Sequence, residues 1–295
     1  MSRSISDLKQ RLNSVRQTRQ ITNAMYLLAA AGLKGGAAAA AYSAQYTESI
    51  RQTLCALLYG GSGDLQKEGG GKAVFICFFG DKGLCGSFQH AIAKYAAALA
   101  QETPDALFYG FGARAAQLME NAGVPVAGVF GGSAMHPDPS DAKTVAAEAR
   151  RLFAEENCRF VDLIYTPYHR VVHTPARRRL FPVTQETETA NELPKAGDLL
   201  MEPDAGALLD HILPVWCTAE VYSAMVQSAA GENAARMDAM QSATDNADEM
   251  IASLEQEMHM ARQLTITNEI TEIAAAASLQ ERIRKTGETE SGGEQ

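Results

Sequence analysis

The stretch MDAMQSATDNADEMIASLEQEMHMARQLT, residues 237 to 265, decides the fold of this chain. Its apolar and small residues recur at alternating steps of three and four, and they are Met237, Met240, Thr244, Ala247, Ile251, Leu254, Met258, Ala261 and Thr265. A repeat of about 3.5 residues places such side chains along one seam of a helix that supercoils with a partner. The sequence therefore predicts a coiled-coil helix near the C-terminus.

A second seam of the same kind runs through the N-terminal block, which contains no proline from Ser4 to about Tyr59. Its members are Ile5, Leu8, Leu12, Val15, Arg19, Thr22, Tyr26, Ala29 and Leu33, with arginine as the one charged residue. Ser4, followed three residues later by Asp7, is a plausible start signal for this helix. Both ends of the chain are therefore predicted to form helices with an apolar face that packs against another helix.

The C-terminal helix is predicted to be very long. Pro203 suits the first turn of a helix and Pro214 should interrupt it, so the uninterrupted run is predicted from Val215 to about Arg284. Such a run would reach on the order of 100 Å. Two ordinary amphipathic helices in a bundle would show the same stripe over a short stretch. The length and the absence of proline favour an antiparallel coiled coil of the two ends.

The block between the helices has the composition of an open α/β domain. Candidate strands are Ala73–Phe79, Ala106–Gly110, Val124–Val129 and Phe160–Tyr165, and helical stretches cover Ser87–Gln101 and Asp141–Glu156. Continuous apolar strands that alternate with helices are typical of a mostly parallel, buried sheet. The Gly/Ser/Lys/Glu-rich segment from Gly60 to Gly71 is interpreted as the linker into this domain.

Composition limits the kinds of partner and chemistry. The net charge of -9 argues against nucleic acid and anionic membranes, since both surfaces are negative. No stretch of 18 or more consecutive apolar residues and no signal peptide is found, so we expect no transmembrane segment. The five cysteines form no CxxC pair and are interpreted as reduced thiols. We expect no metal site, no cofactor and no catalytic residue.

Two glycine motifs could be mistaken for nucleotide sites. The segment Gly110–Ala115 matches a shortened GxGxxA fingerprint after a strand, but no acidic residue follows about twenty positions later. The segment Gly69–Lys72 lacks the earlier glycine of a phosphate loop. A turn and a linker end are the simpler interpretations. A nucleotide-binding enzyme flanked by helices, and a self-associating coiled-coil adaptor, remain the alternatives.

Three groups of residues resemble the signatures of the ATP synthase gamma family. Gln20–Met25, followed by Leu28–Ala30, is similar to that family's ITxAM..VAA motif, and Asp81–Gly86 to its D-[RK]-G-L-C-G turn. The third group is in the C-terminal helix: Glu232–Met240, Ala243–Ala247, Ala261–Gln263 and Ile266–Ile273. The whole chain up to about Ala277 fits in order.

The resemblance implies a non-catalytic subunit, the central-stalk rotor of an F-type ATP synthase. In the family, paired terminal helices stand inside the hexamer of alpha and beta subunits, and the α/β domain joins epsilon and rests on the c-ring. Ion flow turns the ring and the shaft, and rotation drives each beta subunit through its nucleotide-binding states. The resemblance also implies a peripheral location on the cytoplasmic face of a bacterial inner membrane, with H+ or Na+ as the coupling ion.

Individual residues acquire roles from this resemblance. Arg262, Gln263, Thr267 and Met25 match beta-subunit contacts, and Glu202 lies in the segment that faces the c-ring. The turn motif consists of Asp81, Gly83, Leu84, Cys85 and Gly86, and we give it a structural role. Without the resemblance, Arg262 would be a solvated helix charge, Met25 a core residue and Glu202 a helix-start acid.

The predicted organisation has four parts. Residues 1–60 form the N-terminal coiled-coil helix, 61–200 the inserted Rossmann-like α/β domain, 201–284 the C-terminal coiled-coil helix and 285–295 a disordered tail. The chain departs from the family after Leu28, where Ala31–Ala41 is rich in glycine and alanine and only Lys34 is basic. Fewer basic contacts to the acidic lever of the beta subunits are therefore expected.

Overall fold

The computed structural model describes residues 4–58, 70–155, 158–168, 174–183, 202 and 204–290. The chain divides into two compact units, one made of Met1–Ala24 with Gln241–Gln295 and the other of Met25–Met240. The linker predicted at Gly60–Gly71 lies almost entirely outside the described residues, and so does the last part of the predicted tail, residues 291–295.

Both terminal helices are present and begin at side-chain caps. Helix α1 covers Ile5–Leu58, and the Ser4 hydroxyl accepts a hydrogen bond from the amide N–H of Asp7 at 3.2 Å. Helix α5 covers Ala205–Glu290, and the Asp204 carboxylate accepts from the amide N–H of Ala207 at 2.9 Å. Each acceptor satisfies one of the amide groups that a helix start leaves unpaired.

Two predicted boundaries of α5 differ from the structure. The interruption at Pro214 was wrong, because the proline lies inside the helix. Leu213 and Trp216 on either side of it are buried in the core, and this packing offsets the backbone hydrogen bond that proline cannot donate. The helix also continues past Arg284 to Glu290, into the segment for which the sequence predicted a disordered tail.

The first unit is an antiparallel helix pair. Leu8, Leu12 and Leu254 are buried in its seam, with Val15, Ile251, Met258 and Ala261 packed beside them. Arg16 pairs with Glu255 at 2.6 Å and Arg19 with Asp248 at 2.5 Å, so the two helices run antiparallel. The buried Thr244 hydroxyl donates to the Thr22 hydroxyl at 2.8 Å. The predicted pairing of the two ends is confirmed.

The second unit is built on a five-stranded sheet with the order β3-β2-β1-β4-β5. The strands are β1 (Ala73–Phe78), β2 (Leu107–Phe111), β3 (Val126–Phe130), β4 (Phe160–Tyr165) and β5 (Ala176–Phe181). The pairs β1–β2, β1–β4 and β2–β3 are parallel, whereas β5 runs antiparallel to β4. Helices α2 (Phe88–Glu102), α3 (Ala115–Asn121) and α4 (Pro139–Glu155) connect the parallel strands.

Alternate side chains of β1 enter two different cores. Val74, Ile76 and Phe78 pack on one face of the sheet with α4 and with the parts of α1 and α5 that belong to this unit. Phe75 and Cys77 pack on the other face, with α2 and α3. Because both faces are covered, β1 is buried along its entire length, as its continuous apolar run predicts.

The sequence analysis missed strand β5. Its sequence is ARRRLF, and three consecutive arginines do not resemble a strand. Arg177 and Arg179 both pair with the fully buried Asp162 of β4, and Arg178 pairs with Glu220 of α5 at 3.3 Å. The strand exists because two carboxylates inside the protein compensate its charge, which periodicity cannot reveal.

Helix α1 also contains a window of 18 residues with a mean hydropathy of 1.3, long and apolar enough by composition to cross a membrane. This is weak evidence, because a single helix of this length and composition also occurs in proteins that do not span a membrane. The absence of a transmembrane segment stays a prediction.

Candidate functional site

The turn Asp81–Gly86 lies at the carboxyl end of β1, and Asp81 ties it to two neighbouring loops. Its carboxylate accepts hydrogen bonds from the amide N–H groups of Ala113 at 3.1 Å, Ala134 at 2.9 Å and Met135 at 3.3 Å, and from the Ser133 hydroxyl at 3.0 Å. These donors follow β2 and β3. One side chain therefore links the loops after three adjacent strands.

The turn presents Leu84 in a strained conformation. Leu84 has a φ of 62°, in the left-handed region that a leucine rarely adopts, and its side chain is 58% exposed. The Gln89 side chain donates to the carbonyl of Lys82, two residues before Leu84, at 2.7 Å and helps to fix the turn. Strain of this kind persists where the surroundings determine the backbone, and it is common at sites of recognition.

The turn shares a small cavity with Met25. This cavity of about 220 Å³ is lined by Met25, Leu28 and Ala29 of α1, by Lys82, Gly83 and Leu84 of the turn, and by Met135, Asn233 and Arg236. The sequence analysis assigned Met25 and the turn to separate roles. The structure places them side by side in the second unit.

Helix α5 holds the turn from the other side with a buried ion pair. Glu232 is 2% exposed and pairs with Arg236 one turn later, and Arg236 also donates to the Gly83 carbonyl at 3.5 Å. Burial raises the pKa of the Glu232 carboxyl, and the guanidinium of Arg236 partly opposes that rise. The sequence analysis quoted both residues but gave them no role; a charged pair four residues apart in an alanine-rich helix was the available signal.

The predicted beta-subunit contacts on α5 lie in the first unit and are exposed. Arg262, Gln263 and Thr267 follow one another along the helix, and the Thr267 hydroxyl donates to the Gln263 carbonyl at 2.9 Å. Glu202 is also exposed, but both residues next to it lie outside the described part of the chain. None of these assignments is tested by the fold, and they stay predictions.

The GxGxxA segment is a packing motif in this structure. Gly112 has a φ of 103°, and a Cβ there would collide with the carbonyl oxygen of Phe79. Gly110 leaves room for Ala115, whose Cβ would lie 2.6 Å from an added one. The glycines thus allow β2 and α3 to approach their neighbours closely. Among the described residues, no group of three or more His, Cys, Asp or Glu side chains could hold a metal ion.

Comparison with known proteins gives a consistent match. A family model described as ATP synthase matches residues 4–279. The chain is 34% identical over 294 residues to the ATP synthase gamma chain of Roseobacter denitrificans, covering 93% of this chain and 98% of that protein. It is 31% identical over 294 residues to the gamma chain of Parafrankia sp., covering 94% and 98%.

Solved structures give the same fold at low sequence identity. A chain of the Euglena gracilis mitochondrial ATP synthase (OSCP/F1/c-ring) matches with a TM-score of 0.71 and 16% identity, covering 95% of this chain and 96% of that one. A chain of the Tetrahymena thermophila mitochondrial ATP synthase (central stalk/c-ring) matches with a TM-score of 0.55 and 18% identity, covering 76% and 99%.

Proposed function

Since this chain belongs to the ATP synthase family and matches its gamma chains over nearly its full length, we propose that it is the central-stalk rotor subunit of an F-type ATP synthase. It couples ion-driven rotation of a membrane c-ring to conformational changes for ATP synthesis or hydrolysis in the beta subunits. The chain has no catalytic centre of its own and acts within an ATPase complex.

The observation that carries this proposal is the exposed end of α5. From Arg262 to Gln280 every residue of the helix is exposed, and none of these residues packs into the seam of the first unit. Leu264, Ile266, Ile270 and Ile273 are between 47% and 69% exposed. Large apolar side chains exposed on a helix over this length favour an apolar surrounding. The hexamer of alpha and beta subunits would supply that surrounding.

Rotation requires asymmetry and stiffness from the helix pair. The seam of Leu8, Leu12 and Leu254 and the flanking ion pairs Arg16–Glu255 and Arg19–Asp248 support a rod that does not separate under load. The Ala- and Thr-rich seam keeps the pair slim. As the rod turns, it meets the three beta subunits in succession and changes the nucleotide affinity of each.

The finer contacts extend this proposal. Arg262, Gln263, Thr267 and Met25 contact beta subunits, and Glu202 lies on the side that faces the c-ring. The α/β domain binds epsilon and rests on the ring, so the subunit is peripheral, on the cytoplasmic face of a bacterial inner membrane. Support comes from the exposure of Arg262, Gln263, Thr267 and Glu202 and from the half-buried Met25 beside the strained turn.

Native mass spectrometry of the complex purified through a tag on this chain tests the function. We expect one copy of the chain with three alpha and three beta chains. A homodimer without those subunits would instead support the coiled-coil adaptor. Calorimetric titration of the isolated chain with ATP and with NAD should show no binding, and binding of either would support the nucleotide-enzyme alternative.

The glycine- and alanine-rich part of α1 predicts weak electrostatic coupling. Lys34 is exposed and is the one basic residue in Ala31–Ala41. Gly32, Gly35 and Gly36 each cost about 1 kcal/mol of helix stability relative to alanine. We expect Lys34→Ala to change torque and ATPase rate little in a single-molecule rotation assay. A large loss of torque would refute this expectation.

A further inference from the structure

The crevice where open α/β domains bind ligands is filled in this protein by its own helix α5. Such domains bind at the carboxyl ends of the strands, at the point where the strand order reverses, which here lies between β1 and β4. The Ser228 hydroxyl donates to the carbonyl of Phe78, the last residue of β1, at 3.5 Å. A Cβ at Gly231 would lie 3.1 Å from the carbonyl oxygen of Thr166, directly after β4.

One carboxylate occupies the centre of this crevice. A Cβ added at Gly80, the second residue after β1, would lie 2.6 Å from Glu232 Oε1 and closer still to Oε2. The missing side chain of Gly80 therefore forms the space that holds the Glu232 carboxylate. Gly80 does not have a positive φ, so glycine serves here for space and not for backbone conformation.

Arg236 connects the Glu232 carboxylate to the turn that follows Gly80. Arg236 pairs with Glu232 and donates to the Gly83 carbonyl, so the helix, the carboxylate and the turn are joined in sequence. One turn further along α5, the Cβ of Ala239 lies 3.7 Å from the position of an added Cβ at Gly86. Helix α5 thus follows the carboxyl edge of the sheet from Ser228 to Ala239.

We propose that Gly80 and Glu232 are positioning residues that lock helix α5 to the α/β domain and transmit torque between them. This inference rests on the proposed rotor function. A helix that lies on a sheet edge through apolar contacts alone could roll or slide under load, because such contacts are non-directional. The Glu232 carboxylate in its fitted space resists both movements, since rolling or sliding of α5 would press the carboxylate against the backbone around Gly80 and break the hydrogen bond from Arg236 to the Gly83 carbonyl.

The test is the number of ions transported per ATP hydrolysed, measured in inverted membrane vesicles that contain the complete complex. Gly80→Ala displaces the whole carboxylate, and we expect this ratio to fall further than in Glu232→Gln, while ATP hydrolysis persists. Gly131→Ala is the matched control, because a Cβ there meets nothing within 4 Å. Glu232→Gln keeps the shape but weakens the pairing with Arg236, and we expect a fall of about twofold.

The triple variant Gly80→Ala/Glu232→Ala/Arg236→Met separates locking from folding, because replacing Arg236 as well avoids a buried guanidinium without its carboxylate. It relieves the collision, so the amount of assembled complex should recover, but it lacks the carboxylate, so the transport ratio should stay low. Full recovery of the ratio, or a Gly80→Ala ratio equal to that of Gly131→Ala, would overturn the proposal.

Hydrogen exchange on the purified chain provides a readout that does not depend on the rotor function. Amides of residues 228–236 should exchange about tenfold faster in Gly80→Ala than in Gly131→Ala. Unchanged exchange would refute the lock. Failure of the wild-type chain to co-purify with alpha and beta subunits would refute the rotor function and leave the lock to be decided by exchange.

Discussion

Replacement of Asp81 by alanine should destabilise the α/β domain selectively. The carboxylate accepts four hydrogen bonds, three from backbone amides and one from Ser133, and these join the loops after β1, β2 and β3. Asp81→Ala removes the acceptor and leaves the three amide groups of Ala113, Ala134 and Met135 to find other partners in partly buried loops. Asp81→Asn retains one acceptor oxygen, so its loss of unfolding free energy should be about half that of Asp81→Ala.

The expected magnitude follows from the number and type of these bonds. A hydrogen bond to a charged acceptor contributes about 1.5 kcal/mol or more, and partial solvent access to these loops lowers the total, so we expect a loss of about 2–4 kcal/mol. With a denaturant slope of about 2 kcal/mol per M, the urea midpoint should fall by about 1–2 M.

The assay is urea unfolding followed by tryptophan fluorescence. Trp216 is the single tryptophan of the chain, is 2% exposed and packs edge-on against Phe181, so its emission reports the core of the second unit. The control is Asp105→Ala, at an exposed position in the loop between α2 and β2, which should change stability by less than about 0.5 kcal/mol. If Asp81→Ala shifts the midpoint no more than Asp105→Ala does, the reasoning fails.

Thr244→Val should lower the free energy of unfolding by about 1 kcal/mol, because the buried Thr22 hydroxyl loses the hydrogen bond that Thr244 donates to it, whereas Thr22→Val/Thr244→Val should be nearly neutral. A double-mutant cycle on thermal unfolding measures both changes, and equal losses of stability would contradict the prediction. Burial raises the pKa of Glu220, and the guanidinium of Arg178 opposes this rise. In Arg178→Met, Glu220 in the folded state should take up a proton at higher pH, so the free energy of unfolding should increase more steeply than in wild type as pH falls from 8 to 5. Urea unfolding at several pH values measures this, and parallel profiles would refute it. Burial raises the pKa of Cys77 to about 12, so native protein at pH 8 should not be alkylated there by iodoacetamide, as peptide mass spectrometry after a short exposure would reveal.

Part of the sequence analysis relied on signals that are local and periodic. The seam residues Leu8, Leu12, Thr244, Ala247 and Leu254 are buried as the three-four spacing predicts, because helix geometry alone places them on one face. The prediction at Pro214 was wrong because tertiary packing overrode a local rule.

The candidate site was only partly accessible from sequence. The turn Asp81–Gly86 was found by its motif, but the cavity that it shares with Met25 depends on tertiary structure. The fit between Gly80 and Glu232 joins residues far apart in the chain, and a missing Cβ leaves no pattern in a sequence.

The sequence by itself determined the two long helices, the buried strand β1 and the family, since periodicity, apolar runs and motifs are properties of neighbouring residues. Tertiary structure alone decided strand β5, the pairing of the buried Asp162 with Arg177 and Arg179, and the filling of the crevice by α5. These features depend on charges and spaces that distant segments supply to each other. They contribute to stability only in the folded chain, because a buried charge needs a partner from a distant segment, and the space left by a glycine is useful only when a distant side chain fills it.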